Sequence, residues 1–317
     1  LNLRGIREAG AIFAAPTYLY VVAILGVLAT GAVRVLLGDL PAYTPPRAWE
    51  EGHGAERLGL LLVLRAFASG SVALTGTEAV SNGVPAFKPP EVKNAQTVLV
   101  MMGGLFATVF VGLSFFATQL GIVPDPREAE TVVSQVARLL VGRGPYYYLV
   151  QFATALLLVL AANTAFNGFP RLTSIVARDG FLPRQFQFRG DRLAYNTGII
   201  VLALISAALI AAYRGSVTGL IPLYTVGVFV AFTLSQAGMV RHWLRLRRRE
   251  RGWRWRAVVN GVGATVTGIV ALEVSVSKFA LGAWMVLVLI PLLVLMMLGI
   301  GHHYRAVARQ LALDGAA

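Results

Sequence analysis

Residues 58–87 read LGLLLVLRAFASGSVALTGTEAVSNGVPAF. Two features of this stretch pull against each other. Nearly every position is apolar or small, which suits the hydrocarbon of a bilayer, where roughly 20 such residues make one helical crossing. Yet Gly70, Gly76 and Gly83 interrupt it, it runs into Pro85, Pro89 and Pro90, and it carries a carboxylate, Glu78. A straight crossing with a polar overhang needs none of these. We read a transmembrane helix broken near its middle, the device by which membrane carriers open a polar pocket at the bilayer midplane.

The same apolar character recurs along the chain. Candidate spans cover about 10–37, 58–87, 97–122, 145–170, 194–213, 217–240, 257–277 and 279–300, the last two joined by a tight turn at Lys278. The fold class expected is all-α: a polytopic membrane protein of about eight transmembrane helices in a single transmembrane domain. Composition agrees. Of 317 residues 56% are hydrophobic and 14% charged, and mean hydropathy is +0.68. A water-soluble globule is nearer half apolar and a quarter charged. With no cysteine, disulfides, thiolate metal sites and a cysteine nucleophile are excluded. The chain opens on Leu1 with no signal-peptide layout and ends in LALDGAA, so it reads as a piece of a longer protein.

Charge sets the expected orientation. With the N-terminal end in the cytoplasm, 19 Lys and Arg fall on the cytoplasmic side and 7 opposite. That bias places both ends of the segment inside, in the cytoplasmic (plasma) membrane. Eight of the arginines lie between Arg241 and Arg256, beside Trp243, Trp253 and Trp255. In isolation this resembles a nucleic-acid patch. Between two spans it reads instead as a short loop with arginines at anionic headgroups and tryptophans at the interface, and no nucleic acid is expected.

Two of the 15 acidic residues fall well inside spans, Glu78 and Glu273. Ionisable groups in hydrocarbon usually face a cavity, so each is a functional candidate. Glu273 is five residues before Lys278 and reads as an interfacial pair or a snorkelling acid. Glu78 has Thr75 three residues earlier, on the same face if the segment is helical there. Unwinding near Gly76 would turn backbone carbonyls toward the same point. A carboxylate, a hydroxyl and carbonyls are hard oxygen ligands, suited to a dehydrated monovalent cation or a proton. A bound cation and a proton on that carboxylate would exclude one another, which is the coupling a proton-linked carrier needs. The plainer alternative is a glutamate hydrogen-bonded to a neighbouring helix for packing.

Catalytic patterns are weak. The histidines His53, His242, His302 and His303 sit in loops or at a span end, and the adjacent pair points to different helix faces. No phosphate-cradling loop occurs. Neither an enzyme nor a cofactor is expected. Gly168-Phe-Pro170 and the scattered glycines read as sites of close helix packing.

The stretch TGTEAVSNGVPAFKPPEVKNA (75–95) resembles the sixth helix and following loop of the amino acid–polyamine–organocation (APC) superfamily, including its acidic-x-Lys-Asn turn at Glu91–Asn94. NLRGIREAGAIFAAPTYLY (2–20) resembles the fifth helix and NTAFNGFPRLTSIVARDGFLPRQF (163–186) the end of the eighth. LIPLYTVGVFVAFTLSQAGMV (220–240) resembles the tenth, and NGVGATVTGIVALEVSVSKFALGAWMVLVLIP (260–291) the last two. The resemblance implies a leucine-transporter-like fold of about twelve helices, built from two inverted five-helix repeats. This chain would begin at the fifth, so the broken first helix that faces the sixth across the site is missing and the site is half a site.

Within the superfamily, SNGVPAFKPPE (81–91), Ile221-Pro-Leu-Tyr224 and Lys278-Phe-x-x-Gly-Ala-Trp284 are similar to bacterial potassium–proton symporters of the Kup/KimA type. That similarity implies potassium ligation by Thr75, Glu78 and Tyr224 with the freed backbone at Gly76, and proton coupling through Glu78. The function it implies is proton-coupled potassium import, with amino acid–proton symport as the alternative. Potassium and protons would be transported species rather than cofactors. The partners expected are the lipid bilayer, a small cation or amino acid substrate, the missing N-terminal helices of the same protein, and a second copy in a homodimer.

Overall fold

In hydrocarbon every backbone N–H and C=O must be paired within its own segment, and a helix does this locally. The apolar runs accordingly form helices. The structure, a computed structural model, describes residues 9–44, 87–125, 129–190, 195–279 and 282–311, with scattered positions between 59 and 84. The elements are α1 (Ala9–Leu37), α2 (Glu91–Gln119), α3 (Val132–Val141), α4 (Pro145–Arg178), a 3-10 turn (Arg184–Phe186), α5 (Asn196–Ala212), α6 (Val217–Arg245), α7 (Trp253–Ser277) and α8 (Ala283–Leu311). No strand occurs among the described residues. The chain is an all-α, multi-pass membrane protein.

Six of these helices (α1, α2, α4, α6, α7 and α8) are long and apolar enough to cross a membrane. α5 is apolar but has 17 residues, about 26 Å of helix against a hydrocarbon thickness of about 30 Å. Seven of the eight expected spans therefore coincide with helices, and most of 58–87 lies outside the described residues. The helix ends differ from the expected spans for a common reason: hydropathy marks the crossing, not the point where helical hydrogen bonding stops. α2 starts at Glu91, directly after Pro90, with an acid in its first turn where the helix dipole favours it. α4 runs on to Arg178, α6 to Arg245 and α8 to Leu311, each ending in basic residues that suit a helix C-terminus. The turn at Lys278 is present: its amide donates to the Val274 carbonyl, and its own carbonyl accepts from Ala283.

The chain divides into two compact units, Leu1–Ala55 with Thr77–Asp179 and Pro183–Ile205, and Glu56–Gly76 with Gly180–Leu182 and Ser206–Ala317. The core of the first joins Ala23, Val27 and Leu28 of α1, Phe116 of α2, Val136 and Leu140 of α3, and Val150 and Ala153 of α4. Helices approach closely here. A Cβ on Gly31 would lie 2.5 Å from Phe116 Cζ and 2.8 Å from Leu140 Cδ1. The Tyr146 hydroxyl of α4 occupies the space beside Gly26 and donates to the Ala23 carbonyl at 2.8 Å. Pro170 is buried where α4 meets Gly198 of α5. Gly168 has open space at its Cβ position among the described residues, so the packing expected at Gly168–Pro170 comes from the proline and from Gly198.

The second unit is built on an antiparallel hairpin of α6 and α7. Partners rise along α6 as they fall along α7. Thr233 faces Thr267 with hydroxyl oxygens 2.9 Å apart, Gln236 faces Gly263, Val240 faces Gly261, and Trp243 lies beneath Arg256. Val226, Phe229, Val270, Ala271 and Val274 fill the seam, and Ala283 at the start of α8 closes it.

Candidate functional site

Of the four expected site residues, Thr75 and Glu78 lie outside the described residues. Gly76 and Tyr224 are described, and both belong to the second unit. Gly70 is helical, Gly76 is in a turn and Val80 is helical again. Gly76 has φ +103, a left-handed backbone that a side chain would strain, and its Cβ position has no described atom within 4 Å. Gly76 lies between Thr75 and Glu78 in the sequence, so their spacing of three does not by itself put them on one face.

Tyr224 is in the second turn of α6, whose start is capped by Ser216 accepting from the Gly219 amide at 3.1 Å. Pro222, inside that turn, has no amide hydrogen and interrupts the ladder two residues before the tyrosine. The Thr225 hydroxyl donates to the Ile221 carbonyl at 2.7 Å. The Tyr224 side chain is about half exposed. What gathers Thr75, Gly76, Glu78 and Tyr224 into one site is the resemblance, not a measured distance. Glu273 sits near the C-terminal end of α7, five residues before the turn at Lys278.

One polar cluster was not foreseen. α3 is a short amphipathic helix in what reads as a loop, capped by Thr131, whose side chain accepts from the Ser134 amide at 3.2 Å. The Arg138 guanidinium donates to both Glu130 carboxylate oxygens at 3.0 and 3.1 Å. That hydrogen bonding holds the guanidinium above its usual range. Ser134 donates to Glu130 at 3.0 Å, lies 2.9 Å from the Tyr147 hydroxyl and accepts from the Gln151 amide. The sequence signals were Thr131 three residues before Ser134, and Gly142 at the far end with φ +72. The cluster ties α3 to α4 through Ser134, Tyr147 and Gln151. Among the described residues no group of acids and histidines could hold a metal ion.

Six helices long and apolar enough to cross a membrane, among the described residues, define a class, the polytopic membrane proteins. A family model for amino acid permeases matches residues 1–300, and the chain belongs to that family. It is also similar to the potassium transporter KimA of Bacillus subtilis (strain 168), with 44% identity over 311 residues. The match takes in 98% of this chain and 50% of that protein, so the chain spans about half the length of the curated relative it matches.

Proposed function

We propose that this chain belongs to a secondary active transporter that imports potassium with protons across the cytoplasmic membrane. The observation that carries the reading is the 44% identity with the potassium transporter KimA across 98% of the chain. The turn at Gly76 supports it, because an interrupted helix presents backbone carbonyls to a dehydrated cation. In this reading Glu78 binds the cation and carries the coupled proton in turn. Thr75 and the carbonyls around Gly76 supply neutral oxygens, and Tyr224 closes the site from α6. Helices beyond this chain, in the same protein, complete the site, and a second copy forms a homodimer. Both ends of the segment face the cytoplasm, as the 19 to 7 distribution of basic residues favours. Alternating access then comes from rocking of helix groups about the site.

The family description, amino acid permease, supports a second reading of amino acid–proton symport on the same scaffold. One experiment separates the two. The full-length protein is expressed in a bacterial strain stripped of its potassium uptake systems, and growth is scored at limiting potassium. Rescue by the wild type and its loss in Glu78→Gln, with equal amounts of both proteins in the membrane, is the expected result. Wild-type growth of the Glu78→Gln strain would remove Glu78 from the site. No rescue by wild-type protein present in the membrane would favour amino acids, to be checked by labelled amino acid uptake.

A further inference from the structure

The end of the α6–α7 hairpin holds far more positive charge than the described residues neutralise. All eight arginines between Arg241 and Arg256 are exposed, and among the described residues only Arg256 has an ion-pair partner, Glu250 at 3.5 Å. The backbone concentrates them. α6 ends at Arg245 and α7 begins at Trp253. The linker folds back on itself, with the Arg249 amide donating to Leu246 at 2.8 Å and Gly252 left-handed at φ +80. Like charges this close repel unless counter-charge is supplied from outside.

The aromatic residues indicate the depth at which that counter-charge lies. Arg256 stacks 4.8 Å from the Trp243 ring and Arg254 5.6 Å from Trp253. Trp255 is 73% exposed, and the α7 surface continues from it through exposed Val258, Val259 and Val262. The exposed valines of α7 thus lead into a run where arginines and tryptophans alternate, and the Arg247–Arg249 turn lies beyond it. A lipid leaflet has the matching order of acyl chain, interface and phosphate. A nucleic-acid surface has no use for the apolar end of that series.

We propose that the hairpin tip is a binding site for anionic phospholipid headgroups, with the phosphate held by the forked guanidinium groups of Arg247, Arg248 and Arg249. The acyl chains lie along the Val258–Val262 face. The inference does not depend on which substrate the protein carries.

The test uses the full-length protein in nanodiscs of phosphatidylcholine doped with phosphatidylglycerol, followed by native mass spectrometry to count retained lipid. Wild-type protein is expected to retain phosphatidylglycerol over phosphatidylcholine by on the order of a hundredfold, since three basic residues contribute roughly 1 kcal/mol each near an anionic surface and about 1.4 kcal/mol is tenfold. The R247Q/R248Q/R249Q variant should lose the preference and R247K/R248K/R249K keep most of it, which separates charge from lost structure. Millimolar inorganic phosphate should not displace the lipid. Equal preference in wild type and the glutamine variant would overturn the proposal. So would loss of the preference in the lysine variant, or displacement of the lipid by free phosphate or by an oligonucleotide.

Discussion

The two compact units hold their helices by opposite means. In the first, α1 is gripped at a few points where glycine lets a large side chain through: Phe116 and Leu140 at Gly31, and Tyr146 at Gly26. In the second, α6 and α7 meet by repetition, with a modest contact at every turn from Val226 and Val274 to Trp243 and Arg256. Close approach concentrates dispersion energy where one added atom has nowhere to go. Repetition spreads it, so no single rung matters much. Units built these two ways should tolerate substitution very differently.

Three substitutions probe that difference, and the absence of cysteine in the chain lets one introduced thiol report on each unit separately. The largest effect is expected for Gly31→Leu, which overpacks the α1 seam and should cost about 3 kcal/mol. A thiol placed in α1 should then become reactive at a lower temperature, while one in α7 keeps its wild-type profile. Simultaneous loss of both would show that the units melt as one. Next comes Arg138→Ala, which leaves the Glu130 carboxylate without its forked partner in a half-buried site and should cost about 2 kcal/mol. Arg138→Lys should recover only part of this, because an ammonium lacks the rigid planar fork that meets both carboxylate oxygens in parallel. Full recovery would mean that charge, not geometry, secures α3. Smallest is Thr233→Val in the hairpin, at about 0.6 kcal/mol, the usual size of one interhelical hydrogen bond in a membrane protein. A change as large as that for Gly31→Leu would refute the picture of many weak rungs.

Much of this architecture was legible in the sequence, for a physical reason. The bilayer imposes length and apolarity on any crossing segment, and α1, α2, α4, α6, α7 and α8 all carry that signature. The helix ends were not legible, because Arg178 and Arg245 continue their helices into polar surroundings that hydropathy does not distinguish from a loop. α3 escaped because ten residues with one apolar face never accumulate a membrane-like window. The glycine reading was right in kind at Gly26, Gly31 and Gly198 and misplaced at Gly168, since sequence does not say which glycine faces a neighbour. For the candidate site, Gly76 is in a turn with φ +103, within a stretch most of which lies outside the described residues. The grouping of Thr75, Glu78 and Tyr224 comes from the family resemblance, because neither spacing nor composition encodes it.

The threonines carry a mechanical consequence. Thr30, Thr108, Thr154 and Thr265 each donate to a carbonyl four residues back in their own helix, at 2.8 to 2.9 Å. A hydroxyl satisfied in this way travels with its helix, so sliding one such helix past its neighbour breaks none of these threonine hydrogen bonds. Thr233 and Thr267 bond back in the same way, to the Phe229 and Gly263 carbonyls, but their hydroxyl oxygens also meet across the seam at 2.9 Å. α6 and α7 are therefore pinned to each other and should shift as a single rod, with Tyr224 at one end and the arginine tip at the other.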